Sequence, residues 1–228
     1  MRVKTTAAHR LQSAISARPR DIRRSTQDAV IGRLTGGAIS GNCIATTQRT
    51  SSTDITMTTG HGEIYLLHLL RHAHAAWPAA GRGDFDRTLD ERGRKEAADV
   101  ARQAQARKMR PERIVCSPAA RCQETSQIFT AALQGIEVTF DEALYCEGVD
   151  AYLKQITQHA GCRSLMLIGH NPMIEAVATM FIPAGPVADQ LAPGYPTAGL
   201  LTLEFDQPLS ADLDQRGRVL HLITPAFL

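Results

Sequence analysis

Two arginines and two histidines in this chain share one placement: each follows a short apolar run that reads as a buried strand. Leu66-Leu67-His68-Leu69-Leu70 runs directly into Arg71-His72. Ile114-Val115-Cys116 breaks at Ser117-Pro118 and presents Arg121 shortly afterwards. Leu165-Met166-Leu167-Ile168 ends in Gly169-His170-Asn171-Pro172. Residues just past strand ends lie at the carboxyl edge of a sheet, where open α/β sheets bind ligands. Guanidinium groups grip anions with a planar fork of donors, and a neutral imidazole keeps a lone pair for attack. Taken singly, Arg71 is a strand-end charge, His72 a surface histidine, Arg121 an exposed helix residue and His170 a turn residue. Delivered together by three strands, they are the inventory of an anion site with a nucleophile in it.

The elements that must hold these residues follow from the pattern. Strands are predicted at 63–70, 112–116, 136–140, 164–169, 198–205 and 218–224, and helices at 89–107, 118–133, 150–160 and 172–182. Thr88 with Glu91 three residues on is a capping box for the first helix, and Ala97, Val100, Ala101 and Ala104 give it a narrow apolar stripe. Pro118 and Pro172 are placed for first helical turns, where the missing N–H has no partner to lose. Strands alternating with helices imply a three-layer α/β/α sandwich around a mostly parallel sheet. The stretch from Pro183 to Pro196, with four prolines and two glycines, reads as an irregular loop placed to line the mouth of the site.

Four motifs in this order resemble the histidine phosphatase superfamily: Arg71-His72-Ala73-His74, Ser117-Pro118-Ala119-Ala120-Arg121, Gly169-His170-Asn171-Pro172 and Pro196-Thr197-Ala198-Gly199. Within it the chain is most similar to small bacterial phosphohistidine phosphatases of SixA type, over roughly residues 63 to 224. The resemblance implies a phosphoglycerate mutase-like fold with His72, Arg71, Arg121 and His170 as catalytic residues. It also implies a metal-independent phosphatase, acting on phosphohistidine of a partner protein such as a phosphotransfer domain.

In that reading His72 attacks phosphorus in line and water hydrolyses the phosphohistidine formed on it. The other ring nitrogen must be protonated and held, usually by a backbone carbonyl. Arg71 and Arg121 offset charge on the three equatorial oxygens, His170 donates to a remaining oxygen, and amides at the helix starts after Ser117 and Asn171 add donors. Glu147 is the candidate general acid, with a plain loop carboxylate as its other reading. Asp84, Asp86 and Arg87 either form the lip of the site or cap the following helix. A zinc site on His72, His74 and His170 is rejected, because a metal would take the lone pair His72 needs; no metal or cofactor is expected. Two alternatives stand: a small-molecule phosphomonoesterase using Glu147, and a phosphate-binding module without turnover.

Composition sets the remaining bounds. Residues 1–56 carry nine Lys or Arg against three Asp, a charge of +6, while the remainder carries sixteen against twenty, a charge of −4. The net +2 thus conceals a basic tail on a mildly acidic domain, which removes the nucleic-acid reading. Residues 1–60, rich in Ser, Thr, Arg and Gly and without an aromatic residue, read as a disordered extension of the domain at 61–228. A transit peptide has similar composition, but a start at Met57 is the favoured expectation, because the domain resembles bacterial proteins. Five cysteines with no Cys-x-x-Cys pair indicate neither a disulfide framework nor a zinc knuckle. Cys116, ending an apolar strand, is taken as core. No apolar stretch is long enough for a signal peptide or a membrane span, so a cytoplasmic setting is expected.

Overall fold

The apolar runs become the strands of one sheet in the computed structural model, which describes residues 64–78, 80–209 and 213–226. The expected disordered extension at 1–60 lies outside the described residues. The strands are β1 (Tyr65–Arg71), β2 (Arg113–Cys116), β3 (Val138–Phe140), β4 (Ser164–Gly169), β5 (Leu200–Phe205) and β6 (Arg218–Ile223), in the order β3-β2-β4-β1-β5-β6. β1, β2, β3 and β4 pair in parallel, whereas β5 runs antiparallel to both β1 and β6. The helices are α1 (Glu91–Ala106), α2 (Ala120–Leu133), α3 (Ala143–Cys146), α4 (Val149–Gln158), α5 (Met173–Phe181) and α6 (Pro186–Leu191).

Side chains alternate across each strand, and the two faces bury against different helices. Leu67, Leu69, Leu165, Leu167, Leu201 and Leu203 pack with Tyr152, Ile156, Ile174, Val177 and Phe181 of α4 and α5. On the other face Leu70, Ile114, Met166, Ile168 and Leu200 meet the α1 stripe Ala97, Val100, Ala101 and Ala104, together with Phe129 of α2. This is the expected three-layer α/β/α arrangement. Among the described residues no helix is long and apolar enough to cross a membrane.

Register carries the site. Arg71 pairs with Gly169 and Cys116 with Ile168, so β1, β2 and β4 end level at one edge. The ladder runs one step further: His72 N–H donates to Gly169 O at 3.0 Å and Ser117 N–H to Ile168 O at 3.0 Å. The antiparallel β5 brings the chain before it to the same edge, where Ala198 N–H donates to His72 O at 3.2 Å.

Three local expectations are corrected. The cap of α1 is Asp90, whose carboxylate accepts from Gly93 N–H at 2.7 Å, and not Thr88 with Glu91. An isolated bridge between Ala75 and Leu89, with Ala76 N–H on Thr88 O at 3.0 Å, keeps Thr88 extended, so the helix begins later. The prolines stand ahead of their helices: Pro118 precedes the extended cap residue Ala119, and Pro172, after a cis bond from Asn171, is itself the cap of α5. The stretch 183–196 is not wholly irregular, since Pro186 opens the short helix α6, where proline costs no hydrogen bond.

Two stability effects follow. A methyl group on Gly169 would stand 2.1 Å from the hydroxyl of the buried Tyr152. Gly169→Ala should therefore cost about 1–3 kcal/mol, read as a melting point several degrees lower. The second concerns His68, whose Nδ1 meets Thr202 Oγ1 at 3.0 Å and whose Nε2 meets Ser164 Oγ at 3.0 Å in a polar row within the sheet. Burial, aided by His221, lowers its pKa to about 4. Because the unfolded chain takes up the proton near pH 6.5 and the folded one only near 4, stability falls as pH drops through that window. His68→Gln should flatten the pH dependence of melting between 6.5 and 4, by an amount on the order of 3 kcal/mol.

Candidate active site

His72 is the first residue beyond β1, and its partners fix its tautomer. Nδ1 lies 2.8 Å from the carbonyl oxygen of Ala73, which can only accept, so Nδ1 carries the proton. Nε2 accepts from Arg121 Nε–H at 3.3 Å, and an arginine can only donate, so Nε2 is the lone-pair nitrogen. Burial, then His170 and both arginines, lower the His72 pKa to about 3 despite the opposing Ala73 hydrogen bond. The ring is therefore neutral at pH 7, with its lone pair toward the arginines. Its backbone is pinned from behind: Ala73 N–H donates to Thr125 Oγ1 at 3.2 Å, and that hydroxyl donates to Arg121 O at 2.7 Å. One threonine of α2 thus ties the backbone after His72 to the helix that carries Arg121.

Arg121, in the first turn of α2, is almost fully buried and donates in four directions. Nη1 bonds Asp84 O at 2.6 Å, Nη2 bonds Asp84 Oδ2 at 2.9 Å and His170 Nδ1 at 3.2 Å, and Nε bonds His72. Its guanidinium also lies 5.9 Å from the Tyr145 ring centroid, within cation–π range. Arg71, at the end of β1, donates Nη1 to the carbonyl of Tyr195. Its Nε is buried without a hydrogen-bond partner. A charged donor in that state is what an anion acceptor would complete. Burial pulls the Arg71 pKa down, and Glu175 and Glu96 oppose that pull.

His170 follows β4, its ring 5.1 Å from that of His72 in an edge-to-face arrangement. Nδ1 accepts from Arg121, so Nε2–H donates to Ser117 Oγ at 2.8 Å. Burial, then Arg121, lower its pKa to about 4. With this tautomer the nitrogen facing Arg121 accepts. To donate to a phosphoryl oxygen from Nδ1, His170 would have to exchange tautomers, and Ser117 can reverse its hydroxyl to permit that. Its backbone is held by Tyr152, whose OH accepts from His170 N–H at 3.1 Å and donates to Leu144 O at 2.9 Å.

The structure brings Arg71, His72, Arg121 and His170 together. It places the other candidates as follows. His74 turns away to Asp90, Nδ1 to Oδ2 at 2.6 Å, and Gly93 lets α1 approach so closely that a methyl group there would meet His74 O at 1.8 Å. Asp84 is the lip of the site rather than a helix cap, and Arg87 supports it with Nη1 on Oδ1 at 2.9 Å. Glu147 is exposed at the end of α3, the helix whose Tyr145 touches the site, and its side chain bonds none of the four. The amides of Ala119, Cys122 and Ile174 at the two helix starts bond within the protein.

Several participants were missed by sequence reasoning. Tyr145 donates to Asp84 Oδ2 at 3.3 Å and lies 5.6 Å from the His170 ring. Glu175 accepts from Asn171 Nδ2 at 2.8 Å and from Tyr195 N–H at 3.1 Å. Buried Glu96 accepts from His74 N–H at 3.1 Å and from Thr197 Oγ1 at 2.8 Å. A carboxylate on the apolar face of α1 was the available signal for Glu96; Tyr145 and Glu175 carry none in the local pattern.

Residues 67–145 match the sequence profile of the histidine phosphatase superfamily (branch 1). The chain is 38% identical to a protein assigned as phosphohistidine phosphatase SixA from Agrobacterium tumefaciens, with a TM-score of 0.63 over 71% of this chain and 98% of that one. It is 30% identical over 146 residues to the uncharacterized protein ML1117 of Mycobacterium leprae, across 59% of this chain and 86% of that protein. A tungstate-bound structure of the protein histidine phosphatase SixA shares the fold, with 23% identity and a TM-score of 0.55 over 70% of this chain and 97% of that one. The profile, the relatives and the fold agree, and the chain belongs to the histidine phosphatase superfamily.

Proposed function

We propose that this phosphatase removes phosphate from phosphohistidine of a partner protein, such as a phosphotransfer domain, in the cytoplasm and through a phosphohistidine intermediate on His72. The observation that carries the chemistry is a neutral His72 with its lone pair directed at Arg121, beside a buried Arg71 Nε without a partner. An incoming phosphoryl group supplies what both lack: phosphorus for the Nε2 lone pair and oxygens for the open donors. Arg121 releases His72 and turns its donors to the equatorial oxygens, where charge develops during transfer. Nδ1–H stays on the Ala73 carbonyl, so the ring becomes a phosphoimidazolium that keeps its proton, its positive charge balanced by the phosphoryl oxygens. No cofactor enters this scheme.

A protein substrate is supported by the surroundings. The segment between β1 and α1 leaves Trp77 89% exposed, against Arg87, and Phe85 39% exposed, against Tyr145 of the site, apolar surface suited to a macromolecular partner. The similarity to the Agrobacterium protein, over nearly its whole length, points the same way. The competing small-molecule reading would require Glu147 to reach the leaving oxygen as acid.

His72→Ala should abolish turnover and leave no acid-labile phosphoenzyme after a chase with labelled substrate. Arg71→Ala and Arg121→Ala should each lower kcat by about 10²–10³. Turnover on a phosphohistidine peptide should exceed that on a panel of sugar and nucleotide monophosphates. Efficient hydrolysis of one metabolite, lost in Glu147→Gln, would instead establish the phosphomonoesterase. A wild-type protein that binds phosphate yet hydrolyses neither the peptide nor an aryl phosphate would establish a binding module.

A further inference from the structure

Resting on the phosphohistidine reading above, we propose that Asp84 selects the leaving group by accepting a hydrogen bond from the free ring nitrogen of the substrate phosphoimidazole. In-line transfer puts the leaving nitrogen opposite His72 Nε2 across phosphorus. The Arg121 guanidinium spans that interval: its Nε lies on His72 Nε2, and its Nη1 and Nη2 lie on Asp84. A phosphoryl group gripped by Arg121 with its phosphorus at Nε2 therefore directs its leaving group toward Asp84.

Asp84 is equipped for this part. Its side chain is 52% exposed, so a substrate can reach it. Oδ1 takes one bond from Arg87, and Oδ2 takes bonds from Arg121 and Tyr145. A carboxylate offers about four lone-pair sites, which leaves one for a ligand. The Arg87 hydrogen bond and the attraction of Arg121 hold its pKa below the usual carboxylate value. Asp84 is thus an anion that accepts protons in hydrogen bonds, not an acid that delivers one. Phe85 and Tyr145, edge to face at 4.9 Å, put aromatic surface beside it for a flat ring.

The chemistry balances only for one class of leaving group. A phosphoimidazole whose second nitrogen has taken a proton from water leaves as neutral imidazole. The Nε2–P bond to His72 forms as the substrate N–P bond breaks, and that electron pair returns to the leaving nitrogen. The proton stays on the second nitrogen, facing Asp84, whose charge favours the protonated substrate. A phosphate ester instead leaves as an anion, against which the same carboxylate is repulsive. Asp84 thereby favours phosphohistidine and disfavours esters.

The test compares wild type with D84N on a synthetic phosphohistidine peptide and on nitrophenyl phosphate, with melting recorded for each protein. Asparagine keeps the shape and an oxygen for Arg121 but loses the charge. The kcat/KM on the peptide should fall by about ten- to hundred-fold, the worth of a hydrogen bond to a charged group, while that on nitrophenyl phosphate rises. A second variant, D84S, should shift the two substrates in the same opposite directions. Parallel losses on both substrates, or no change on the peptide, would overturn the role of Asp84 while leaving the phosphohistidine reading intact. A wild type that turns over nitrophenyl phosphate but not the peptide would overturn both.

Discussion

Two guanidinium groups must point at one spot, and the rest of the site is arranged around the cost of holding them there. Arg71 and Arg121 converge with His72 and His170 at the edge of the sheet, with Arg121 almost wholly buried. Like charges in a medium of reduced dielectric repel strongly. Three carboxylates offset this at graded distances. Asp84 touches Arg121 directly through side chain and backbone. Glu175 and Glu96 act on Arg71 through space, and each is fixed by bonds to the backbone, at Tyr195 N–H and His74 N–H. The carboxylate in contact is the half-exposed one, and the two that stay back are anchored. Of the three, only Asp84 touches an arginine of the cluster and is open to solvent on its other side.

The same field makes the histidines usable. An imidazole between two arginines loses its proton readily, because the imidazolium would be a third cation in the cluster. Burial and the arginines push His72 and His170 in the same direction, so neither depends on solution pH for its lone pair in the neutral range. Tautomer is then set by what each outer nitrogen meets. A carbonyl, which can only accept, fixes the His72 tautomer. A hydroxyl, which can donate or accept, holds His170 and leaves its tautomer free to follow the ligand.

Much of this was legible in the sequence, for a reason of geometry. Parallel strands packed on both faces are continuous apolar runs, and the residues that end those runs reach the sheet edge whatever the loops do. Arg71, His72 and His170 were readable because backbone register places them, and Arg121 because it follows β2 by one turn. Asp84 was different. Its partner Arg121 lies 37 residues away, and a loop aspartate before a helix is locally indistinguishable from a cap. The true cap, Asp90, was hidden likewise, because the Ala75–Leu89 bridge that delays the helix is a tertiary contact. Helix α6 was missed because prolines and glycines dominate the stretch around it, although Pro186 stands at its first turn.

The antiparallel strand β5 completes the argument. A parallel sheet alone would bring strand ends to the edge and carry its chain away into helices. Because β5 enters from the site edge, the segment 195–199 crosses the ends of β1 and β4 before the strand begins. Its contacts follow in order: the Tyr195 carbonyl takes Arg71, the Tyr195 hydroxyl donates to Leu69 O at 2.8 Å, Thr197 binds Glu96, and Ala198 N–H meets the His72 carbonyl. Gly199 O takes Arg71 N–H at 3.1 Å. One short segment thereby fixes the backbone of both Arg71 and His72 and one end of the Arg71 guanidinium. His72 and Arg71 are thus held by sheet, helix and return strand at once, while Asp84 and Tyr145 stand on the Arg121 side of the cluster.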